Sequence, residues 1–541
     1  MRIQPLAGVI LLGAAIVALA GCGARETAVK RGNREQVLHR GIGADLPVLD
    51  PHLANGISDY AVLSELLEGL VSQDPATLAP VAGIAESWEP SDDGLTYTFK
   101  LRADARWTNG DPVTASDFIR SWQRALSPAL ASDYAYLLHI VENAKAFNEG
   151  TLTDFSQVGF SAPDERTVRI KLVHPAAFFL SMLNNSVWLP VHMDTVERHG
   201  AAYDRGNQWA RPETLVGNGP FKLREVRPGQ RVVVERNPSY WDAASVQLRE
   251  VHFHVIESLD AEERAFRAGQ LHITEALPVA KVRHYEEHQP DALRIDPYLG
   301  TYFYRLNTAR PPLDDARVRR ALALAVDRKA IVSRILGGGQ LPATSFTPRG
   351  AGSYSPPELV RTDFDEARRL LVEAGFPGGA GLPQIEILYN TSENHRLIAE
   401  AIQEMWRREL GADVVLANQD FKVTLDARRT GNYQVLRSVW IGDFVDASSF
   451  LGVFTSASGN NHTGWSDPAY DRLVEDAMRT PASSKRDAMF LEAETTLLEA
   501  MPVIPIYHYT HVFLIHPSVR GWHSNLLDRH PCKHVRLEPP K

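Results

Sequence analysis

The sequence predicts an α/β protein of more than one domain, and three observations carry that expectation. Between 300 and 507, strand-patterned runs alternate with helical ones, the pattern of a mixed, partly parallel sheet. The chain has 541 residues, enough for two to four domains. Its composition, 44% hydrophobic and 23% charged, belongs to globular chains and not to disordered ones.

The first element is MRIQPLAGVILLGAAIVALAGC, with one basic residue, a short apolar run from Leu6 to Ala20, and then Leu19-Ala20-Gly21-Cys22. An apolar run this short, ending in small residues, reads as an export signal and not as a membrane-spanning helix. The final four residues are similar to a bacterial lipobox, so residues 1–21 are expected to be a lipoprotein signal peptide and Cys22 the lipidated residue. Each buried methylene contributes about 0.8 kcal/mol, so several acyl chains hold a protein durably to a membrane. The stretch GARETAVKRGNREQ (23–36) is polar and without helical periodicity, so 22–36 is expected to be a flexible tether. Only Cys532 then remains, and no intrachain disulfide is available; a core of this size needs none.

Within 69–194, YTFKLR (97–102) and RTVRIKL (166–172) alternate as strands, and Asn109-Gly110-Asp111-Pro112 signals a turn. Thr114 or Ser116 can cap a helix whose apolar face carries Phe118, Ile119, Trp122 and Leu126. From 195 to 299, the loop VGNGP (216–220) precedes strands at FKLREV (221–226), RVVVERN (231–237) and LREVHFHV (248–255), and DAEERAFRAGQ (260–270) reads as a helix ended at Gly269. Beyond 300, DARVRRALALAVDRKAIVSRIL (315–336) reads as one helix, and DEARRLLVEAGF (365–376) as a helix stopped by Gly375 and Pro377. IEILYN (385–390), ADVVLANQ (412–419) and YQVLRSVW (433–440) are strand-like, with NHRLIAEAIQEMWRREL (394–410) helical.

The net charge of −9, with no basic cluster interleaved with aromatics, argues against a nucleic-acid partner. No catalytic set is found. Gly337–Gly339 lacks the Lys-Ser/Thr of a phosphate loop, Gly41-Ile42-Gly43 lacks a third glycine, and there is no Gly-x-Ser-x-Gly elbow or HExxH motif. An exported hydrolase acting on peptides would need one of these, so no enzyme is expected. His252 and His254 share one face of a strand, a spacing that can ligate metal. With no acidic or cysteine partner at a supporting interval, they are read as a solvent-facing strand surface. No metal site and no cofactor are expected.

The stretch WIGDFVDASSF (440–450) poses the sharper question. A lone Asp443 sits among Trp440, Ile441, Gly442 and Phe444, and an ionised carboxylate removed from water costs several kcal/mol unless it is compensated. Either it belongs to a partly solvated loop or it awaits a cation. Asn390, His395, Phe421, Arg428, Arg429, Arg437, Trp440 and Asp443 fall within 54 residues and together could furnish charged sites and apolar pockets in one cleft. Tyr298, Tyr302, Phe303 and Tyr304 surround a possible domain crossing in PYLGTYFYRLN.

These stretches, with DPHLANGISDYAVLSELLEGL (50–70), VAGIAESWEPSDDGLTYTFKLR (81–102), RWTNGDPVTASDFIRSWQRAL (106–126), VGNGPF (216–221), PPLDDARVRRALALAVDR (311–328), LYNTSENHRLIAEAIQEMW (388–406), NQDFK (418–422) and MPVIPIYHY (501–509), carry a resemblance. From about Asp45 onward the chain resembles the periplasmic oligopeptide-binding proteins of ABC importers, the family-5 extracellular solute-binding proteins. The resemblance implies a periplasmic-binding-protein-like fold of three lobes with mixed β-sheets, a ligand cleft between lobes, and hinge crossovers near 299–300 and 507–508. It places lobe I at 37–68, 195–299 and 508–541, lobe II at 69–194, and lobe III at 300–507. In that family an extended peptide adds as a strand, so main-chain hydrogen bonds give affinity irrespective of sequence, and its side chains enter hydrated pockets.

By the same resemblance, Asp443 matches the aspartate that pairs with the peptide's α-ammonium, a group with a pKa near 8. Arg437 and His395 match positions that meet the C-terminal carboxylate, and Asn390, Arg428 and Arg429 match polar positions of the groove. Tyr134, Tyr298, Phe303, Phe421 and Trp440 match pocket aromatics, and Asn55, Gly56 and Ile57 match the segment that pairs with the peptide backbone. Three departures stand out: Leu336 replaces a lysine, Phe421 a tryptophan, and Gly300 and Ile441 two bridging cysteines. The implied partners are short peptides with a free α-ammonium, the transmembrane subunits of an ABC permease, and the membrane through the lipid anchor of a monomeric periplasmic lipoprotein. A murein-peptide receptor of the same fold is the neighbouring possibility.

Overall fold

The computed structural model describes residues 26–43, 49–54 and 56–539. The signal peptide, Cys22, Asn55 and the side chain of Ile57 lie outside the described residues.

The chain folds as mixed α/β, with its strands in several sheets and no closed barrel among the described residues. In the first sheet the spatial order is Val37–Gly41, Glu250–His254, Arg231–Arg236 and Phe221–Arg227, the first pair parallel and the others antiparallel. The second sheet, Ala85–Pro90, Thr96–Leu101, Thr167–Lys171 and Phe160–Asp164, is wholly antiparallel. The third has six strands in the order Leu341–Pro342, Val503–Leu514, Leu293–Leu306, Val435–Ile441, Ile385–Asn390 and Val414–Gln419. Ile385–Asn390 pairs parallel with both its neighbours, giving the mixed sheet that alternating strands and helices predict.

The helix Ala115–Leu126 shows how local signals place an element. The Asp117 carboxylate accepts a hydrogen bond from the Thr114 backbone N–H at 2.7 Å, closing the N-terminus. Phe118, Trp122 and Leu126 are fully buried. Two expectations need correction. Residues 28–35 are not tether but helix, begun by Thr27, whose hydroxyl accepts from the Lys30 N–H at 3.2 Å. Only Val29 and Gly32 of this helix are buried, too few to imprint a periodicity, and tertiary packing against the first sheet holds the helix. The helix expected over 315–336 breaks after Leu324, and Asp327 starts a new turn by accepting from the Ala330 N–H at 2.9 Å. Buried Arg328 secures that break by donating to the carbonyls of Ala323, Val326 and Pro505.

The two long strands Leu293–Leu306 and Val503–Leu514 connect the regions. Toward one end they lie beside 272–277, where Thr274 and Leu277 donate to the carbonyls of Leu514 and Val512. Toward the other they are the second and third strands of the six-stranded sheet. Their pairing shifts register between Pro297↔Thr510 and Thr301↔His508, leaving Tyr298–Gly300 bulged opposite Tyr509. The largest apolar core runs without a break through the first and second sheets, while the two faces of the six-stranded sheet carry separate cores.

Candidate functional site

Asp443 follows the strand Val435–Ile441 in a turn fixed from several sides. Gly442 N–H donates to Leu299 O at 2.8 Å, Asp443 N–H to Ser449 Oγ at 2.9 Å, and Phe444 stacks on Phe178 with centroids 4.9 Å apart. A Cβ on Gly442 would meet Leu299 Cδ2 at 2.8 Å and Phe450 Cε2 at 2.9 Å, so the close approach requires glycine.

The Asp443 carboxylate lies in a cavity of about 320 Å³ walled by Gly56, Tyr60, Tyr134, Asn184, Tyr298 and Arg529 among others. Tyr136 Oη donates to Asp443 Oδ2 over a long 3.4 Å. No ion pair reaches Asp443 among the described residues. Arg529 is near enough to act through its charge, yet its guanidinium donates to Gln73 Oε1 at 3.1 Å and sits over the Tyr60 ring at 4.6 Å. Burial therefore wins: it pushes the Asp443 carboxyl up to about 6, against the Tyr136 hydrogen bond and the Arg529 charge.

A second polar cluster occupies one face of the six-stranded sheet. Arg437 donates to Asn390 Oδ1 and to Tyr509 Oη, both at 3.3 Å, and its guanidinium lies 4.7 Å from the centre of the Tyr302 ring. Its buried Nε has no hydrogen-bond partner and no carboxylate pairs with it among the described residues. His395 Nδ1 is 3.4 Å from the Tyr302 hydroxyl, and burial together with the Arg437 charge lowers the ring to about 3, so at neutral pH it is an uncharged hydrogen-bonding group. One region thus holds an uncompensated carboxylate and the other an uncompensated guanidinium, both on or just beyond one strand.

The model of the bacterial extracellular solute-binding proteins, family 5, matches residues 79–462. The chain belongs to this family. The periplasmic murein peptide-binding protein MppA of Escherichia coli is 36% identical over 500 residues, covering 91% of each chain. The periplasmic oligopeptide-binding protein OppA of Salmonella typhimurium is 35% identical over 497 residues, covering 90% of each. The crystal structure of Haemophilus influenzae OppA in complex with RPPGFSPFR superposes with a TM-score of 0.79 at 33% identity, covering 93% of this chain and 99% of the other.

For a family-5 protein, the site residues expected from sequence divide unevenly. Gly56, Tyr134, Tyr298 and Asp443 share the cavity, while Arg437, His395 and Asn390 form the second cluster. Trp440 and Phe303 do not join Arg437. Strand side chains alternate, and Trp440 is three residues from Arg437, hence on the opposite face. Phe303 is fully buried in the core against Phe346 and Phe454 and is not part of the wall of the Asp443 cavity; Trp440 is half-buried beside that core and donates to Ser449 O at 2.6 Å. Arg429 is in a surface ion pair with Asp426 at 2.7 Å, and Phe421, 55% exposed, opens the helix Phe421–Thr430 two residues after Gln419, the register partner of Asn390. Arg428 is half-buried with an unpartnered Nε.

Gly300 and Ile441 are register partners, and Ile441 fills the space a Cβ on Gly300 would need, so packing stands where the resemblance implies a bridge elsewhere in the family. Tyr136, Tyr60 and Arg529 escaped the sequence reading because they reach Asp443's surroundings from distant segments; only the Tyr134–Tyr136 spacing hinted at a paired contribution. His252 and His254 are not a solvent-facing surface either: both are half-buried and face His39 on the neighbouring strand.

Proposed function

We propose that this protein is an extracytoplasmic receptor that captures short peptides through both charged ends and delivers them to an ABC-type permease. The observation that carries this reading is the unpaired Asp443 carboxylate on the cavity wall, which has the charge and burial to receive a peptide α-ammonium. Arg437, with His395 and Asn390, supplies the complementary receptor for the C-terminal carboxylate. With a strand rise of about 3.3 Å per residue, Arg437 and the end of its strand are roughly 13 Å apart, the reach of a peptide of a few residues. Leu336 offers no charge to any carboxylate, so peptides that rely on a lysine there lose a contact.

Residues 1–21 act as signal peptide and the Cys22 lipid as anchor in this reading, and the receptor is a monomer that hydrolyses nothing. The spans 37–68 with 195–299 and 508–541, 69–194, and 300–507 are its lobes. Since the first and second sheets share one continuous core, the moving body is 300–507, hinged on the bulge at Tyr298–Gly300. A murein-peptide ligand is the second reading, favoured by the 36% identity to MppA; competition between a murein tripeptide and ordinary tripeptides decides it. The main test is peptide binding by Asp443→Ala. Removing one member of a buried pair costs about 3–5 kcal/mol, so affinity should fall at least ~100-fold with the fold intact, and unchanged affinity would refute the reading.

A further inference from the structure

We propose that His39, His252 and His254 form a binding site for a divalent transition-metal ion of the zinc type, on the first sheet and outside the peptide cavity. Val37–Gly41 and Glu250–His254 pair parallel with His39 directly opposite His252, and the next same-face position on that strand is His254. One ring nitrogen from each lies within 4.8 Å of the other two. His39 Nδ1 and His254 Nε2 are 3.1 Å apart. Two imidazoles bound to one ion at about 2.0–2.1 Å, with near-tetrahedral angles, hold their nitrogens roughly 3.0–3.4 Å apart. That pair already has the required spacing, and a modest turn of the His252 ring completes the set.

The surroundings fit a ligand role. His252 Nε2 contacts Glu250 Oε2 at 2.8 Å, which leaves Nδ1 as the ligating atom and supplies the carboxylate behind the histidine that orients metal-binding rings. On the other side the His39 backbone N–H donates to His272 Nδ1 at 3.0 Å, fixing the strand; that ring stacks on His39 at 5.7 Å without joining the set. A cavity of about 320 Å³ is walled by all three histidines, with room for a fourth ligand such as water or an anion. Arg31 and Arg231 also wall it, so an anionic fourth ligand would be favoured, although Arg231 already pairs with Glu225 at 2.9 Å. A nitrogen-only donor set excludes calcium and magnesium, which demand oxygen, and suits zinc, nickel, cobalt or copper. Because His39 lies on one strand and His252 and His254 on its neighbour, a bound ion would clamp the strand Val37–Gly41 to the sheet.

The test is zinc titration of the untagged chain from Cys22 onward, its lipid omitted, by calorimetry and by metal analysis after dialysis. One ion per chain is expected, with His254→Ala or His252→Ala abolishing it and Glu250→Gln weakening it about 10–100-fold, while peptide affinity is unchanged. The exposed pair His284 and His288, rings 4.7 Å apart on the helix Val279–His288, is the internal control. Loss of zinc in His284→Ala but not in His254→Ala would overturn the proposal, as would no binding at all. Should the variants fail to fold, X-ray absorption of the zinc-loaded wild type still decides: three imidazole nitrogens support the site, and fewer contradict it.

Discussion

At the scale of single residues, the account turns on Asp443. Its carboxyl has been raised above the unfolded value near 3.9 to about 6 in the unliganded fold. A raised acid pKa means that the folded state prefers the protonated form, so this group destabilises the fold above about pH 6 and ceases to do so as pH falls toward 4. Asp443→Asn should therefore stabilise the ligand-free protein at pH 7 by something on the order of 1–2 kcal/mol after allowance for partial exposure, read as a raised Tm. The same group sets the acid side of the pH dependence of binding: peptide affinity should be highest between about pH 6 and 8, fall as pH drops through about 6 because the protonated acid cannot pair with an ammonium, and fall again above about pH 8 as the peptide's α-ammonium loses its proton. An affinity unchanged down to pH 5 would contradict that. Arg437→Met should weaken peptides with a free C-terminus while leaving amidated peptides unaffected, a difference calorimetry resolves. The apolar neighbours of Asp443 raised the question of what compensates its charge but left a partly solvated loop open, and only the family resemblance pointed to an ammonium. Tyr136 was harder to find, since it arrives from 307 positions away and only its spacing from Tyr134 hints at the contact.

At the scale of elements, the strand Val435–Ile441 and the turn after it act as one positioning device. Gly442 lies so near Leu299 and Phe450 that Gly442→Ala must move the turn carrying Asp443. Overpacking of this kind costs about 1–3 kcal/mol, so the variant should lose both thermal stability and peptide affinity; a normal Tm with normal affinity would show that the turn is not constrained as described. The alternating runs became the expected strands, but Val37–Gly41, Ala85–Pro90, Phe160–Asp164 and the long strands Leu293–Leu306 and Val503–Leu514 were not among them. The reading stopped at that point for the site. Grouping Trp440 with Arg437 neglected that residues of opposite parity point to opposite faces. The helix at 28–35 and the break at 325–327 were hidden for another reason: both depend on contacts distant in sequence, Val29 N–H to Gly269 O in one case and Arg328 to Pro505 O in the other.

At the scale of the whole molecule, the alternation of strands and helices and the ordered motifs made the fold class and the family legible, and the family model and the superposed relatives agree. What alternation could not show is how the cores divide. With one core common to the first and second sheets, closure is expected to be a movement of 300–507 about the bulge at Tyr298–Gly300. A saturating tripeptide should thus reduce the radius of gyration in X-ray scattering and slow amide exchange at residues 298–300 and 441–443, leaving the second sheet unchanged. The central claim remains electrostatic, and a double-mutant cycle in calorimetry tests it most directly, with wild type and Asp443→Asn each titrated with one tripeptide carrying either a free or an acetylated N-terminus. A coupling energy of about 3 kcal/mol or more, with acetylation costing wild type heavily and the variant little, is the predicted result. Equal losses on acetylation in both proteins would show that Asp443 does not receive the ammonium.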